Sequence, residues 1–373
     1  MSETVRMWSF PALVFPFGDL DHGLMNLPHR AVAVFGAYGH TAVFVLSELR
    51  RRGLLPVLVG RDPDRLRTLA TDHPDSPIRV ASVDDPLSLD RALTGTAAVI
   101  NCAGPFADTA PAVLDAALRA RVPYLDVGAE QAVALEIFQD WQEPARAAGV
   151  TVVPSLAFFG GLGDLLATTA MGAASEADAV DLAYGLDGWE PTSGTRLTGR
   201  RNAGRHMVYS GGRFHAPSRQ AEVTTWEFPQ PLGLTEVTEF PTADQVTISR
   251  HVRTPDVRAH MNLAPLRDVR DPATPAPEAA DDSGRSAQTF VVDAVVHRGG
   301  ERRRARAFGR DIYAVTAPLV AEATLRAIDG RVRAGAGVHA PGALFDAGDL
   351  LRSLSPDHLG LELPEPWSAG VGV

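Results

Sequence analysis

The 373-residue sequence contains no lysine; all 35 of its basic residues are arginine. That absence excludes Schiff-base chemistry on the protein and any Tyr-Lys catalytic pair, and a GC-rich coding bias accounts for it without invoking function. Cysteine is nearly absent too. With Cys102 alone no intrachain disulfide can form, so a reducing compartment, the cytoplasm, is the expected location. No uninterrupted apolar stretch reaches the roughly 20 residues needed to span a bilayer. A net charge of -10 gives no footprint for nucleic acid or an anionic membrane surface, although local basic clusters can still serve an anionic cofactor. No internal repeat is present, and the scattered histidines lack ligand spacing, so no metal is expected. Residues 1–30 lack a basic segment followed by an apolar core and read as a loosely docked extension, with Met25 as an alternative start that would place residues 1–24 outside the native chain.

The chain is organised around AVAVFGAYGHTA, Ala31 to Ala42. Ala31 to Phe35 is a short buried-strand run that ends on Gly36, and Val43 to Arg52 reads as an amphipathic helix. The turn between them, Gly36, Ala37, Tyr38, Gly39, His40 and Thr41, is a variant dinucleotide-binding loop, one residue longer between its first two glycines than the usual GxGxxG. Gly36 lets the chain reverse, Gly39 lets backbone approach a pyrophosphate, and small Ala42 lets the helix pack on the strand. Free amides at the helix start then face the phosphates.

A second apolar run, Pro56 to Val59, ends in Gly60 and Arg61, where an NAD-preferring domain would place a carboxylate for the ribose 2′-hydroxyl. Arginine there suits a 2′-phosphate. Charge-assisted hydrogen bonds of roughly 1.5–3 kcal/mol correspond to about a ten- to hundredfold preference for NADP(H). Asp62 and Asp64 read as the cap and first turn of the helix through Leu69.

Alternation then continues: strands at Ile78–Val83, Ala97–Ile100, Pro123–Val127 and Val150–Val153, and helices at Pro86–Leu93, Thr109–Arg121 and Ala132–Ala148. The spacing implies an α/β fold with a Rossmann-like, doubly wound parallel sheet and ligands beyond the carboxyl ends of its strands. Asp84, the run Asn101, Cys102, Ala103, Gly104, Pro105, Phe106, and the run Asp126 to Glu130, with Gly128, all follow a strand. Gly104-Pro105 stops its strand and leaves Asn101 and Ala103 to face a ligand. A lone buried thiol such as Cys102 is more often inert packing than a nucleophile. Asp126 is structural more often than catalytic at such a position; its functional role would be to orient substrate or relay a proton.

The motifs VFGAYGHTA, LVGRDPDRL, VINCAGPF, YLDVGAE and GRDIY together resemble the saccharopine dehydrogenase-like family of NADP-dependent oxidoreductases, which includes trans-acting enoyl reductases. The match is dense from about Ala31 to Asp164 and thinner to about Ala347. Ala42-Val43 stands where members often have Gly-Arg, and Ala129 where they often have Gly. The resemblance implies that Asn101 to Phe106 lies along the cofactor toward the nicotinamide and that Tyr124 to Glu130 closes its far side.

From Pro154 the pattern changes. Phe158 to Gly163 is an apolar, glycine-rich passage, and Asp164 opens a helix through about Ala173; an apolar wall there would favour hydride transfer. Strand-like runs follow at Ala179–Tyr184, Glu222–Phe228, Leu234–Phe240, Val246–Val252, Val257–Asn262, Ser286–Val296 and Arg302–Phe308, which suggests a second, mainly antiparallel α+β domain inserted in the first. Thr192 to Met207 carries Arg196, Arg200, Arg201 and Arg205 on a helix, either as a solvated face or as an anion site. Tyr209, His206, Arg250 and His251 are weaker candidates. The acidic, proline-rich stretch at 268–286 reads as a mobile loop. Thr316 to Ile328 is an alanine-rich helix that the resemblance returns to the first domain, with Tyr313 at the seam, and Pro364 onward reads as a frayed tail.

The expected organisation is an extension over 1–30, an NADP-binding domain over 31–157, a substrate and dimerisation-type domain over 158–308, and a return helix and tail over 309–373. The expected function is NADPH-dependent reduction of an imine or related polar double bond of a small molecule. Tyr124, Asp126 and Arg201 are the candidate catalytic residues; a bound or bulk water is the alternative acid. Two other readings stay open, a trans-acting enoyl reductase in lipid or polyketide assembly and a non-catalytic NADP(H)-binding sensor. A homodimer is a candidate assembly; a carrier protein enters only with the enoyl reading.

Overall fold

The computed structural model describes residues 30–202, 204–217 and 221–364. The extension over residues 1–29 and the tail beyond Pro364 lie outside the described residues.

The first sheet grows from short apolar strands separated by helices. In chain order these are β1 Ala31–Phe35, α1 His40–Arg51, β2 Leu55–Gly60, α2 Pro63–Ala70, β3 Ile78–Val80, α3 Pro86–Leu93, β4 Ala98–Asn101, α4 Phe106–Ala120, β5 Tyr124–Asp126, α5 Gln131–Asp140, α6 Gln142–Ala148 and β6 Thr151–Val153. All five residues of β1 are buried, as are all four of β4, because helices cover both faces of the sheet. Asp62 caps α2 through the Asp64 and Arg65 amides, and Asp85 caps α3 through the Ser88 amide. The expected helix over Ala132–Ala148 is two helices, broken at Trp141.

The second half opens with a kinked turn, Phe158–Leu162, non-helical at Phe159 and Gly160, followed by α7 Gly163–Met171, β7 Ala179–Leu186, α8 Ser193–Asn202, β8 Val208–Ser210, β9 Arg213–His215, β10 Val223–Glu227 and β11 Leu234–Glu239. Then come α9 Asp244–Ser249, β12 Val257–Asn262, α10 Leu263–Asp268, β13 Thr289–Arg298, β14 Glu301–Arg310, α11 Thr316–Ile328, β15 Gly337–Val338, α12 Pro341–Leu344, α13 Ala347–Ser353 and β16 Gly360–Glu362. One element corrects the sequence reading. Val246–Val252 was expected as a strand, but the segment is helical over Asp244–Ser249, with residues 244 to 248 all buried. Its β-branched residues fit a strand by propensity; burial on every side, against the Phe158–Leu162 turn and α7, decides otherwise.

Two sheets result. The seven-stranded sheet runs β15-β6-β5-β4-β1-β2-β3 and is parallel throughout. Strand order reverses between β1 and β4, which opens a crevice at their carboxyl ends. The larger sheet runs β10-β11-β12-β7-β13-β14-β16, with β8 and β9 off its path; it is antiparallel except for the β12–β7 pair. The chain is therefore a Rossmann-like parallel sheet joined to a mostly antiparallel mixed sheet. α11 packs on α1 and touches β4 and β5, while β15 adds an edge strand to the first sheet.

Candidate dinucleotide site

The crevice is built from the β1–α1 turn. Gly36 takes φ +78°, and a Cβ there would sit 2.8 Å from the Ala103 Cβ, so only glycine lets the turn nest against the loop after β4. Gly39 precedes α1, whose start has no side-chain cap and no acidic residue in its first turn. The first amides of a twelve-residue helix thus remain open to an anion.

At the end of β2, Gly60 faces the Tyr38 ring, which would lie 2.7 Å from a Cβ on that residue. The Arg65 guanidinium lies over the Tyr38 ring, 4.1 Å from its centroid. Arg61 is exposed and has no hydrogen-bond or ion-pair partner among the described residues. His40 is exposed at the start of α1 and meets Phe44 and Tyr313 edge-on, at 5.5 and 5.3 Å between centroids. Asp84 is exposed beyond β3 and interacts with Ser82.

The β4 and β5 ends are more enclosed than the sequence suggests. Asn101 is fully buried and acts as a brace: its Oδ1 accepts the Ala103 amide at 3.0 Å, and its Nδ2 donates to Thr109 Oγ1 at 3.2 Å and Tyr124 Oη at 3.3 Å. The Tyr124 hydroxyl donates to Asp126 Oδ2 at 3.0 Å, while Asp126 Oδ1 accepts the Gly128 and Ser155 amides, each at 2.9 Å. Burial raises the Asp126 carboxyl to about 6 against the pull of those donors. Burial, with Asp126 beside it, pushes the Tyr124 phenol well above its ordinary value. The Cys102 thiol is raised by burial and by Asp126, so it is a poor nucleophile. Asn101, Tyr124 and Asp126 thus tie together the loops that flank the crevice.

Pro105 follows a cis peptide and precedes α4. Glu130, 2% exposed, accepts the Phe106 amide at 2.7 Å through Oε1. The same oxygen takes the Thr198 hydroxyl of α8 at 3.4 Å.

The four arginines of the α8 segment do not form one anion site. Arg196 donates to the carbonyls of Asp271 and Thr274, and Arg201 pairs with Asp108 in the first turn of α4. His251 lies inside the second half against Asp164, with Nε2 2.6 Å from Oδ1, and its pKa rises through that contact despite the opposing effect of burial. Tyr209 donates to the Thr254 carbonyl, Arg250 lies over the Phe138 ring, and burial lowers the pKa of His206.

Three contacts were not legible from sequence. Glu130 joins α8 to α4; Gln131 and Gln245 join the two halves; Tyr313 receives the Trp189 indole N–H and the Thr192 amide and bonds the Thr195 hydroxyl. Among the described residues, no group of three or more His, Cys, Asp or Glu side chains could hold a metal, and no helix is long and apolar enough to cross a membrane.

A glycine turn before an uncapped helix, at the switch point of a parallel sheet, is the arrangement found in dinucleotide-binding α/β proteins. Residues 32–153 match the family model described as the saccharopine dehydrogenase NADP binding domain. Over 146 residues the chain is 27% identical to a probable mitochondrial saccharopine dehydrogenase-like oxidoreductase of Arabidopsis thaliana, a match covering 35% of this chain and 32% of that protein. The chain thus aligns with about a third of that relative's length. Apo saccharopine dehydrogenase (L-Glu forming) of Saccharomyces cerevisiae shares the fold, with a TM-score of 0.62 at 14% identity, covering 90% of this chain and 100% of that one. The first domain is therefore of the saccharopine dehydrogenase NADP-binding type, with NADP(H) as its cofactor, and the chain is similar to saccharopine dehydrogenase-like oxidoreductases.

Proposed function

We propose that this protein is an NADPH-dependent oxidoreductase that reduces an imine or related polar double bond of a small molecule. The observation that carries the reading is Arg61, a guanidinium without a partner among the described residues, at the end of the strand beside the uncapped start of α1. An adenosine 2′-phosphate is the ligand that such a charge, next to a pyrophosphate-binding helix start, would recognise.

NADPH, when bound, supplies the hydride. The chain's own residues do the rest. The first turn of α1 binds phosphate; Asn101 and Asp126 hold the loops after β4 and β5 against the crevice; the glycine-rich turn at Phe158–Leu162, backed by the buried Phe159, Tyr184 and Trp189 rings, supplies a dry wall. Asp126, ionised at neutral pH, adds negative potential at the carboxyl end of β5, which favours a protonated imine over a neutral acceptor. The single cysteine suits a reducing compartment such as the cytoplasm.

Fluorescence titration of NADPH and NADH against the wild type and Arg61→Ala tests the cofactor assignment. NADPH should bind about tenfold or more tightly than NADH, and the substitution should erase the difference. Equal binding of both nucleotides to the wild type would remove the role given to Arg61. Screening imines beside enoyl thioesters then tests the acceptor, and turnover of the thioesters alone would replace the imine reading.

A further inference from the structure

Helix α8 comes from the second half of the chain but lies across the crevice of the first. Near its start, Thr195 Oγ1 is 2.9 Å from the Tyr313 hydroxyl, and the Tyr313 ring sits edge-on to His40, the first residue of α1. Midway, Thr198 reaches Glu130, and its Oγ1 would lie 3.8 Å from a Cβ on Gly104. Near its end Arg201 pairs with Asp108 in the first turn of α4. The helix therefore spans from the start of α1 to the start of α4, over the switch point between β1 and β4.

No residue of α8 is buried. Among the described residues, the side-chain hydrogen bonds and ion pairs that hold it are those of Thr195, Arg196, Thr198 and Arg201. A helix with no fully buried residue has little to keep it down once a few polar bonds release, and such elements open at low free-energy cost.

We propose that α8 is a cover over the dinucleotide crevice, latched by Arg201–Asp108 and Thr198–Glu130. Glu130 is a positioning residue that passes the placement of α8 to the Gly104–Phe106 loop, because one oxygen serves both the Thr198 hydroxyl and the Phe106 amide. The inference rests on the cofactor site proposed above. In the closed position α8 excludes solvent from the crevice; NADPH enters and leaves as it lifts.

The cover carries its own reporters, since Arg200 and Arg201 are trypsin sites on an exposed helix. Native-state trypsin digestion read by mass spectrometry, together with stopped-flow NADPH fluorescence, is applied to the full chain and to Asp108→Asn and Thr198→Val. Bound NADPH should slow cleavage after Arg200 and Arg201 at least tenfold. Each variant should raise both the association and the dissociation rate of NADPH at least threefold while changing Kd less than either rate. A merely structural role would instead weaken binding through dissociation alone. In a Glu130→Ala background Thr198→Val should have no further effect; should that variant not fold, the two others decide. If NADPH binds while cleavage in α8 and both rates stay unchanged, the cover is overturned and the cofactor site stands. Absence of NADPH binding overturns both.

Discussion

Gln131 Nε2 donates to Gln245 Oε1 at 3.0 Å, joining the first residue of α5 to α9 with both side chains buried. Gln131 also takes the Met207 amide at 2.8 Å and donates to the Met207 carbonyl at 2.9 Å, and Gln245 continues to the Val257 carbonyl at 2.9 Å. The parallel-sheet half and the mixed-sheet half therefore meet through amide groups whose donors and acceptors are matched.

Gln131→Ala leaves the Gln245 carbonyl oxygen and the Met207 amide without their partner. The expected cost is about 1–3 kcal/mol. It should appear in urea unfolding as a lower midpoint with an unchanged slope, since the area exposed on unfolding is unaltered. A change in slope with the same midpoint would mean that the two halves separate before either unfolds.

Asp244 makes a pH-dependent contribution of known sign. It is fully buried beside Tyr184 and Thr242, with Asp164 nearby, and burial raises its carboxyl from 3.8 to about 6. The folded state thus holds a proton that the unfolded state has released. The stability linked to this group is present below about pH 4 and is lost as pH rises through about 6. Asp244→Asn, which keeps the shape without the charge, should gain stability relative to the wild type across that window, by on the order of 2–3 kcal/mol. Thermal unfolding of both proteins at pH 4.5 and 8 provides the measurement, and a constant difference would contradict the assignment. Asp126 shifts in the same direction, so the Asp244→Asn variant retains part of the pH slope.

Gly36→Val tests the nesting of the β1–α1 turn. The new side chain would meet Ala103 below van der Waals separation while the backbone sits in a left-handed conformation that valine disfavours. We expect destabilisation of about 2–4 kcal/mol and loss of NADPH fluorescence enhancement. Retained NADPH affinity would show that the turn lies away from the nucleotide.

Most of the parallel half was legible because its elements carry local signals; the break at Trp141 and the two-residue edge strand β15 do not. Pro86–Leu93 opens on proline after a capping aspartate, and its observed bounds are those expected. Thr316–Ile328 and Val257–Asn262 also carry their expected bounds, one as a long alanine-rich helix and the other as a β-rich run. α9 was illegible because burial, set by distant neighbours, overrode the propensity of its β-branched residues. The hairpin of β8 and β9 was missed because two three-residue strands present no period to read. At the proposed site, the glycines and Arg61 are singled out by residue type and place. The inward turn of Asn101 and Asp126 does not, since it depends on which amides lie across a loop. The arginines of α8 were read as one face, whereas Arg196 and Arg201 go to different partners because their acceptors come from segments far apart in sequence.

The pairing of β15 with β6 sets an order of events for a nascent chain. The parallel sheet has six of its seven strands by residue 153, yet its last edge strand arrives with Gly337–Val338, and α11, which packs on α1, arrives only shortly before. Until then the β6 edge is uncovered and one side of α1 is without its partner helix. Through most of its synthesis the nucleotide-binding half is an incomplete sheet with an open rim, the kind of species that chaperones engage, and it closes only after the mixed sheet has been made.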